Sequence, residues 1–397
     1  MLIFSILGLC LVLLPLGYLM LQLIASIRTS PLDTLHGLLP THSFAIAIPA
    51  HDEEAVIANT VQRLFKLHYP SNLYRIHIVA DHCSDRTAEF ARRAGAVVHE
   101  RNEGPRSGKG AALSWLFQRI LEDPKYDAVI IFDADTRVDE HFLCAMDVRL
   151  AKGEQIVQGQ HIISNPGDGW FPSLTWSMFL IDNRVQNLGR TNLGWSAKNM
   201  GDSICFSADV LRRVGWGEGL ADDYQIRQKY LLNGIKIAYE PTAMGFGEAV
   251  LNWTQARAQR SRWIRGVHDA NRQFAGQLFV KGLKTRNFAM LDGALQAYLP
   301  SYSVLTATAA FFLILHILGF KMFNLDISQW MIMVWTALLG ILFFYPILAL
   351  ALEKAPAKAY FVILTGPVFI LWRLWLTLVS RFGKGKTTWV RTAHKGL

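Results

Sequence analysis

Of the 397 residues, 51% are hydrophobic and only 18% charged, and the mean hydropathy is positive, so part of the chain sits in lipid. That composition excludes a disordered chain and a collagen-like fibre, and the scattered Cys10, Cys83, Cys144 and Cys205, with no CxxC pair, exclude a disulfide-stapled module and point to a reducing cytosol. The net charge of +9 admits nucleic acid, anionic lipid or an anionic substrate as partner, and the placement of the basic residues separates these.

Leu2 to Ile27 is an apolar run interrupted only by Ser, Gly, Pro, Gln and Tyr. At about 1.5 Å per residue it is long enough to cross a hydrocarbon core of about 30 Å. The first basic residue, Arg28, follows the run, which predicts an uncleaved anchor over residues 1–27 with its C-terminal flank in the cytosol. From Ser43 to about Glu248, short β-rich runs alternate with helical stretches, the pattern of an α/β sheet with crossover helices. Strands are predicted at Phe44–Pro49, Arg75–Ala80, Ala96–His99 and Ala128–Phe132. Helices are predicted at Glu53–Leu67, from a Ser84 cap through Gly95, and at Gly108–Leu121.

In such sheets the ligand crevice lies at the carboxyl ends of the strands. Those ends carry Pro49-Ala50-His51-Asp52-Glu53, Asp81-His82 and Asp133-Ala134-Asp135. No GxGxxG follows the first strand, which disfavours a dinucleotide oxidoreductase. Period two puts Asp133 and Asp135 on one side, a pair of hard oxygen ligands suited to Mg²⁺ or Mn²⁺; a solvated acidic turn has the same signature. Lys109, in Ser107-Gly108-Lys109-Gly110, stands where glycines let a phosphate approach a helix N-terminus, although GxxxxGK[ST] is absent and a plain loop lysine reads the same. Asp222 and Asp223 open a helix after the glycine-rich Gly215 to Gly219, where adjacent acids either cap the dipole or supply a general base.

Gln259-Arg260-Ser261-Arg262-Trp263 offers an amide, guanidinium groups and an indole, suited to a diphosphate and a sugar face or to headgroup anchoring. Arg257, Arg260, Arg262, Arg265, Arg272, Lys281, Lys284 and Arg286, opposed only by Asp269, give residues 249–297 the look of amphipathic helices lying on the headgroups. Anionic lipid and a phosphorylated substrate account for this charge, and the absence of a zinc-finger or RNP-like signature disfavours nucleic acid. Three more apolar stretches follow within residues 298–380: Tyr298 to Phe320, Trp330 to Leu352 and Tyr360 to Val379. The tail, residues 381–397, holds Arg381, Lys384, Lys386, Arg391 and Lys395 with no acid. Three full crossings after a cytosolic domain would put this tail outside, against the positive-inside rule; Gly366, Pro367 and Arg373 make the last stretch the weakest span.

In order, Ile48 to Glu54, Val79 to Asp85, Gly108-Lys109-Gly110, Asp133-Ala134-Asp135, Ala221-Asp222-Asp223 and Gln259 through Trp263 resemble the family 2 glycosyltransferases, in particular the membrane synthases related to cellulose, chitin and hyaluronan synthases. The resemblance runs from about Phe44 to Gly266 and implies a GT-A, Rossmann-like cytosolic domain (residues 28–248) that uses a nucleotide sugar, most often a UDP-sugar. It places Pro49, Glu53 and Asp81 at the uridine with Lys109 and Asp133 nearby, Asp135 with Asp133 at the metal, and Asp223, with Asp222 beside it, as general base of an inverting transfer. Gln259, Arg262 and Trp263 match QxxRW, which clamps the diphosphate and shapes the acceptor site; Trp389-Val390-Arg391-Thr392 resembles a C-terminal motif of some relatives. His51-Asp52, Ala221-Asp222 and Asn199-Met200-Gly201-Asp202-Ser203 depart from the family pattern, the last in the acceptor region. The expected acceptor is a growing polysaccharide carried across the membrane, with a single transfer to a lipid as the alternative; a sugar-nucleotide transporter or receptor is the reading from another class.

Overall fold

The computed structural model describes residues 2–29, 39–106, 108–217, 222–251, 253–323 and 326–382. The basic tail beyond 382, with its tryptophan motif, lies outside the described residues, as do Ser107 and Ala221. Eight strands form one sheet: β1 Phe44–Ala50, β2 Tyr74–Asp81, β3 Val97–Arg101, β4 Ala128–Ile131, β5 Arg137–Val138, β6 Ile156–Ile163, β7 Ile204–Ser207 and β8 Ala238–Gly247. Their order is β3-β2-β1-β4-β7-β6-β8-β5; the first four are parallel, and β7 runs antiparallel to both β4 and β6. This is the expected Rossmann-like α/β fold, extended by an antiparallel strand and a second parallel pair, β6 and β8.

Alternation along β1 builds the layers. Phe44, Ile46 and Ile48 enter one core with Ile57, Val61 and Leu64 of the helix Ile57–Leu64. Ala45 and Ala47 face the other, against Leu113, Leu116 and Phe117 of the helix Lys109–Ile120. All of these side chains are buried, and at roughly 25 cal/mol per Å² of apolar surface each large one contributes about 2 kcal/mol. Pro49 interrupts no pairing on that side: the β1–β4 ladder ends at Ala47 and Ile131, and the amide that Pro49 lacks would point beyond it.

Several local expectations change. The Glu53–Leu67 helix begins only at Ile57, because residues 51–56 form a turn around Asp52, whose φ of 54° is left-handed. Ser84 does not cap the next helix, which runs Thr87–Arg93; its amide and hydroxyl are spent on the Asp52 carboxylate instead, at 2.7 and 3.2 Å. The strand β4 ends at Ile131, so Asp133-Ala134-Asp135 lies in a turn closed by the Thr136 amide on the Asp133 carbonyl (3.1 Å), and strand periodicity does not govern its two carboxylates.

Among the described residues, three helices are long and apolar enough to span a membrane, at Phe4–Ala25, Tyr302–Met322 and Gln329–Leu352. They pack through Val12, Leu16, Leu305, Ala309, Phe312, Trp335 and Leu342, with Phe312 stacked on Trp335 at 4.8 Å, while Leu11, Leu14 and Phe344 stay exposed around the outside. The last apolar stretch is broken into Ala357–Ile363 and a second helix from Gly366, bent by 54°. Residues 249–297 contain one 33-residue helix, Trp253–Thr285, and the short helix Phe288–Leu295.

Candidate active site

The first half of the crevice is stitched together by backbone groups. His51 Nδ1 donates to the Asp81 carbonyl (2.7 Å), tying the end of β1 to the end of β2. Glu53 is buried, and its amide donates to Thr87 Oγ1 (2.7 Å). Asp81 closes β2 opposite its register partner Arg101 at the end of β3, and Arg101 Nη1 donates to Asp81 Oδ1 at 2.5 Å, where His82 Nδ1 also lies at 3.0 Å. Arg101 was not anticipated from sequence; its pairing follows from the β2–β3 register, which the residue string does not reveal.

The second half gathers around Lys109. Gly108, at φ 108°, turns the chain into the helix Lys109–Ile120, and Lys109 extends its ammonium to the Asp133 carboxylate and to the Gly201 carbonyl (2.5 Å). Burial alone would lower the lysine's proton affinity, but Asp133, Asp223 and Asp202 hold it above the ordinary value. Asp223 sits in the first turn of the helix Asp222–Leu232. Burial raises its pKa above the usual carboxylate value; Asp133 and Asp202 push the same way, while Lys109 and Arg262 oppose. The side chain of Asp222 lies outside the described residues.

Gly201 is needed twice over. Its φ is +85°, and a Cβ built there would come within 2.5 Å of Asp223 Oδ2. The loop that carries it continues into Asp202, which is buried and accepts from Thr136 Oγ1 and Ser203 Oγ, each at 3.0 Å. His161, on β6, pairs with Asp202 at 3.0 Å. Burial would keep the imidazole neutral, but Asp202, then Asp133 and Asp135, raise its pKa. Burial works against the Asp202 charge, and His161 and Lys109 hold that carboxyl below the usual range. His161 and the partnering of Asp202 are additions to the sequence reading, since a lone histidine in an apolar strand carries no signal of its own.

Gln259, Arg262 and Trp263 are half-buried on the helix Trp253–Thr285, which packs on the Asp222–Leu232 helix through Ala270, Phe274 and Leu278 against Leu231. Lys109, Asp133, Asp223 and Arg262 therefore share one electrostatic environment, with Asp135 reaching it through His161. Pro49, Glu53 and Asp81 form an adjoining set on the β1–β2–β3 side, next to the strand β4 that leads to Asp133.

The Gly201 loop is fixed from below by a buried ionic cluster. Arg190 pairs with Asp292 and donates to the Ser196 carbonyl (3.1 Å); Arg227 donates to the carbonyls of Ala197 (2.8 Å) and Ser196 (3.1 Å) and lies 3.5 Å from the same carboxylate. Tyr18, from the first apolar helix, donates to Asp292 at 2.7 Å.

A hard-oxygen pair beside a lysine and an arginine, facing a carboxylate of raised proton affinity, can hold a diphosphate and deprotonate a hydroxyl. The family model described as glycosyl transferase family group 2 matches residues 128–348. The chain is 23% identical over 366 residues to the probable glycosyltransferase YdaM of Bacillus subtilis, covering 88% of this chain and 86% of that relative. It is 28% identical over 245 residues to the beta-monoglucosyldiacylglycerol synthase of Trichormus variabilis, covering 58% of this chain and only 50% of the relative's length. The mannosyltransferase PcManGT of Pyrobaculum calidifontis, solved with GDP-Man and Mn²⁺, matches with a TM-score of 0.54 at 16% identity over 95% of this chain and 99% of that one, a likeness of fold.

Proposed function

The chain belongs to glycosyl transferase family group 2, and we propose that it moves one sugar from a UDP-sugar, with inversion, to a hydroxyl of a lipid presented from the bilayer. The observation that carries this is the Asp223 carboxylate, seated against Gly201 within the field of Lys109, Asp133 and Arg262. Asp223 takes the proton of the attacking hydroxyl, with Asp222 beside it in sequence. Lys109 and Arg262 oppose the charge that develops on the departing diphosphate, an electrostatic contribution of several kcal/mol in a site shielded from water. Pro49, Glu53 and Asp81 face the nucleoside, and Gln259 and Trp263 the sugar and acceptor. Asp135, with Asp133, fits Mg²⁺ or Mn²⁺ by donor type, and such an ion supplies charge neutralisation of the diphosphate.

Enzyme membership displaces the transporter or receptor reading. Between lipid and polysaccharide acceptors, the membrane part favours the lipid: side chains of Leu16, Phe312 and Trp335 fill the space between the spans, which a growing polymer would need. The cyanobacterial relatives named beta-monoglucosyldiacylglycerol synthases point the same way. The unit from 28 to 248 acts as the catalytic domain, at the cytoplasmic face of the cell membrane by the positive-inside rule, and 249–297 as its link to the bilayer. The purified chain, given diacylglycerol-containing vesicles, Mn²⁺ and radiolabelled UDP-glucose or, as the competing donor, GDP-mannose, is expected to release UDP from UDP-glucose and yield one short lipid-linked product. A ladder of long water-soluble product would instead establish polysaccharide extension, and absence of sugar transfer from either donor would refute the proposal.

A further inference from the structure

One cluster of charges lies outside the roles assigned above to sugar transfer. On the helix Trp253–Thr285, Arg260 and Arg262 are two positions apart, about 200° around the axis, so they leave the helix on nearly opposite sides. Arg262 acts on Asp223 in the crevice. Arg260 instead lies over the rings of Phe171 (5.4 Å) and Phe369 (5.1 Å), and its Nε is buried without a hydrogen-bond partner. One turn beyond Phe369, on the same face of the helix Gly366–Phe382, stands Arg373. Trp372, beside it, packs on Phe171 (6.1 Å) of the helix Trp170–Ile181 and on Trp253 (5.0 Å), so this helix is seated against both.

The charges in this place do not balance. Burial first, then the nearby Arg373 charge, pushes the pKa of Arg260 down to about 10, and Asp182 is the carboxylate that opposes this. Asp182 is itself ion-paired with Lys198 at 3.1 Å. Among the described residues, Asp182 is thus the carboxylate shared by Arg260, Arg373 and Lys198. Half-buried guanidinium groups short of counter-charge are costly to desolvate, and aromatic faces offset that cost only in part. An anion with tetrahedral oxygens would complete the set. Its position, against the apolar helix Gly366–Phe382 and on the side of the helix Trp253–Thr285 opposite Arg262, makes it distinct from the site of the donor diphosphate.

We infer that Arg260 and Arg373, walled by Phe171 and Phe369, bind the phosphate of an anionic membrane lipid. This holds whichever molecule accepts the sugar. The test is lipid retention by the full-length detergent-solubilised chain, read by native mass spectrometry with phosphatidylglycerol, phosphatidylcholine or inorganic phosphate. Wild type is expected to retain phosphatidylglycerol about tenfold better than the R260Q/R373Q variant, while K281Q/K284Q, on an exposed part of the same helix, retains it as wild type does. Retention of UDP by R260Q/R373Q shows that the variant is folded; should it not fold, R260K, expected to keep the lipid, and R260Q alone, expected to lose it, carry the comparison. Equal phosphatidylglycerol retention by wild type and the Gln variants, an equal loss in K281Q/K284Q, or displacement of the lipid by millimolar inorganic phosphate would each overturn the inference.

Discussion

A carboxylate serves as a base near neutral pH when its surroundings raise its proton affinity and leave it beside the acceptor. Asp223 has the first property by burial and by the neighbouring Asp133 and Asp202 charges. Asp223→Asn is therefore expected to slow sugar transfer by about 100-fold or more while leaving UDP binding intact, measured by turnover and calorimetry. The raised pKa also has a sign: ionised Asp223 is lost as pH falls, so the acid limb of kcat/KM is expected above the ordinary carboxylate value of 3.8, and a limb at or below it would remove Asp223 from the role. Asp223, Lys109 and Arg262, whose charges act on one another, could be singled out in the sequence because each is a charge type that the proposed chemistry calls for, in a family order. Arg101, His161 and the partners of Asp202 were not, since their roles depend on strand register and on which loop approaches which strand.

Elements whose identity rests on local hydrophobicity were read well: β1, β2 and β4 are apolar runs, and the helix opening at Asp222 follows its acidic start. Where tertiary contacts decide, the reading shifted, as with Ser84, captured by Asp52, and the Asp133–Asp135 turn, released from the sheet where β4 ends. The loop from Ser196 to Ser203 is the element most dependent on distant parts. Gly201→Ala is expected to cost about 1–3 kcal/mol from its backbone conformation and to depress transfer further by displacing Asp223, seen as a lowered melting temperature together with a reduced kcat. Asp292→Asn leaves Arg190 and Arg227 facing each other in a buried place and is expected to destabilise the chain by about 3–5 kcal/mol. Tyr18→Phe removes a single hydrogen bond to that carboxylate and is expected to cost only about 1–2 kcal/mol; equal losses in the two variants by denaturant unfolding would contradict this account.

At the scale of the whole molecule, the charge of the tail and the number of apolar stretches conflicted, and the bend between Ala357–Ile363 and Gly366–Phe382 offers the resolution. Both pieces rest on the helices Trp170–Ile181 and Trp253–Thr285: Ser177 donates to the Ala359 carbonyl (3.2 Å), Trp170 Nε1 to Thr365 (2.8 Å), and Arg257 lies over Trp375 (5.0 Å). A stretch held on that side need not cross, so a cysteine placed at Lys395 in a cysteine-free background is expected to react with a membrane-impermeant maleimide only from the cytoplasmic side. The end of the third span is fastened as well, with Gln160 donating to Glu353 at 3.0 Å and Arg184 3.9 Å away, while Asn192 holds the carbonyls of Ala25 and Arg28 (2.9 and 2.8 Å). These clasps set the altitude of Asp223 above the bilayer as a fixed gauge. Under the proposed transfer to a lipid, the acceptor is then selected by how far its hydroxyl stands out from the acyl chains, and lengthening or shortening that stalk should change which molecules are glycosylated without any alteration at the sugar pocket.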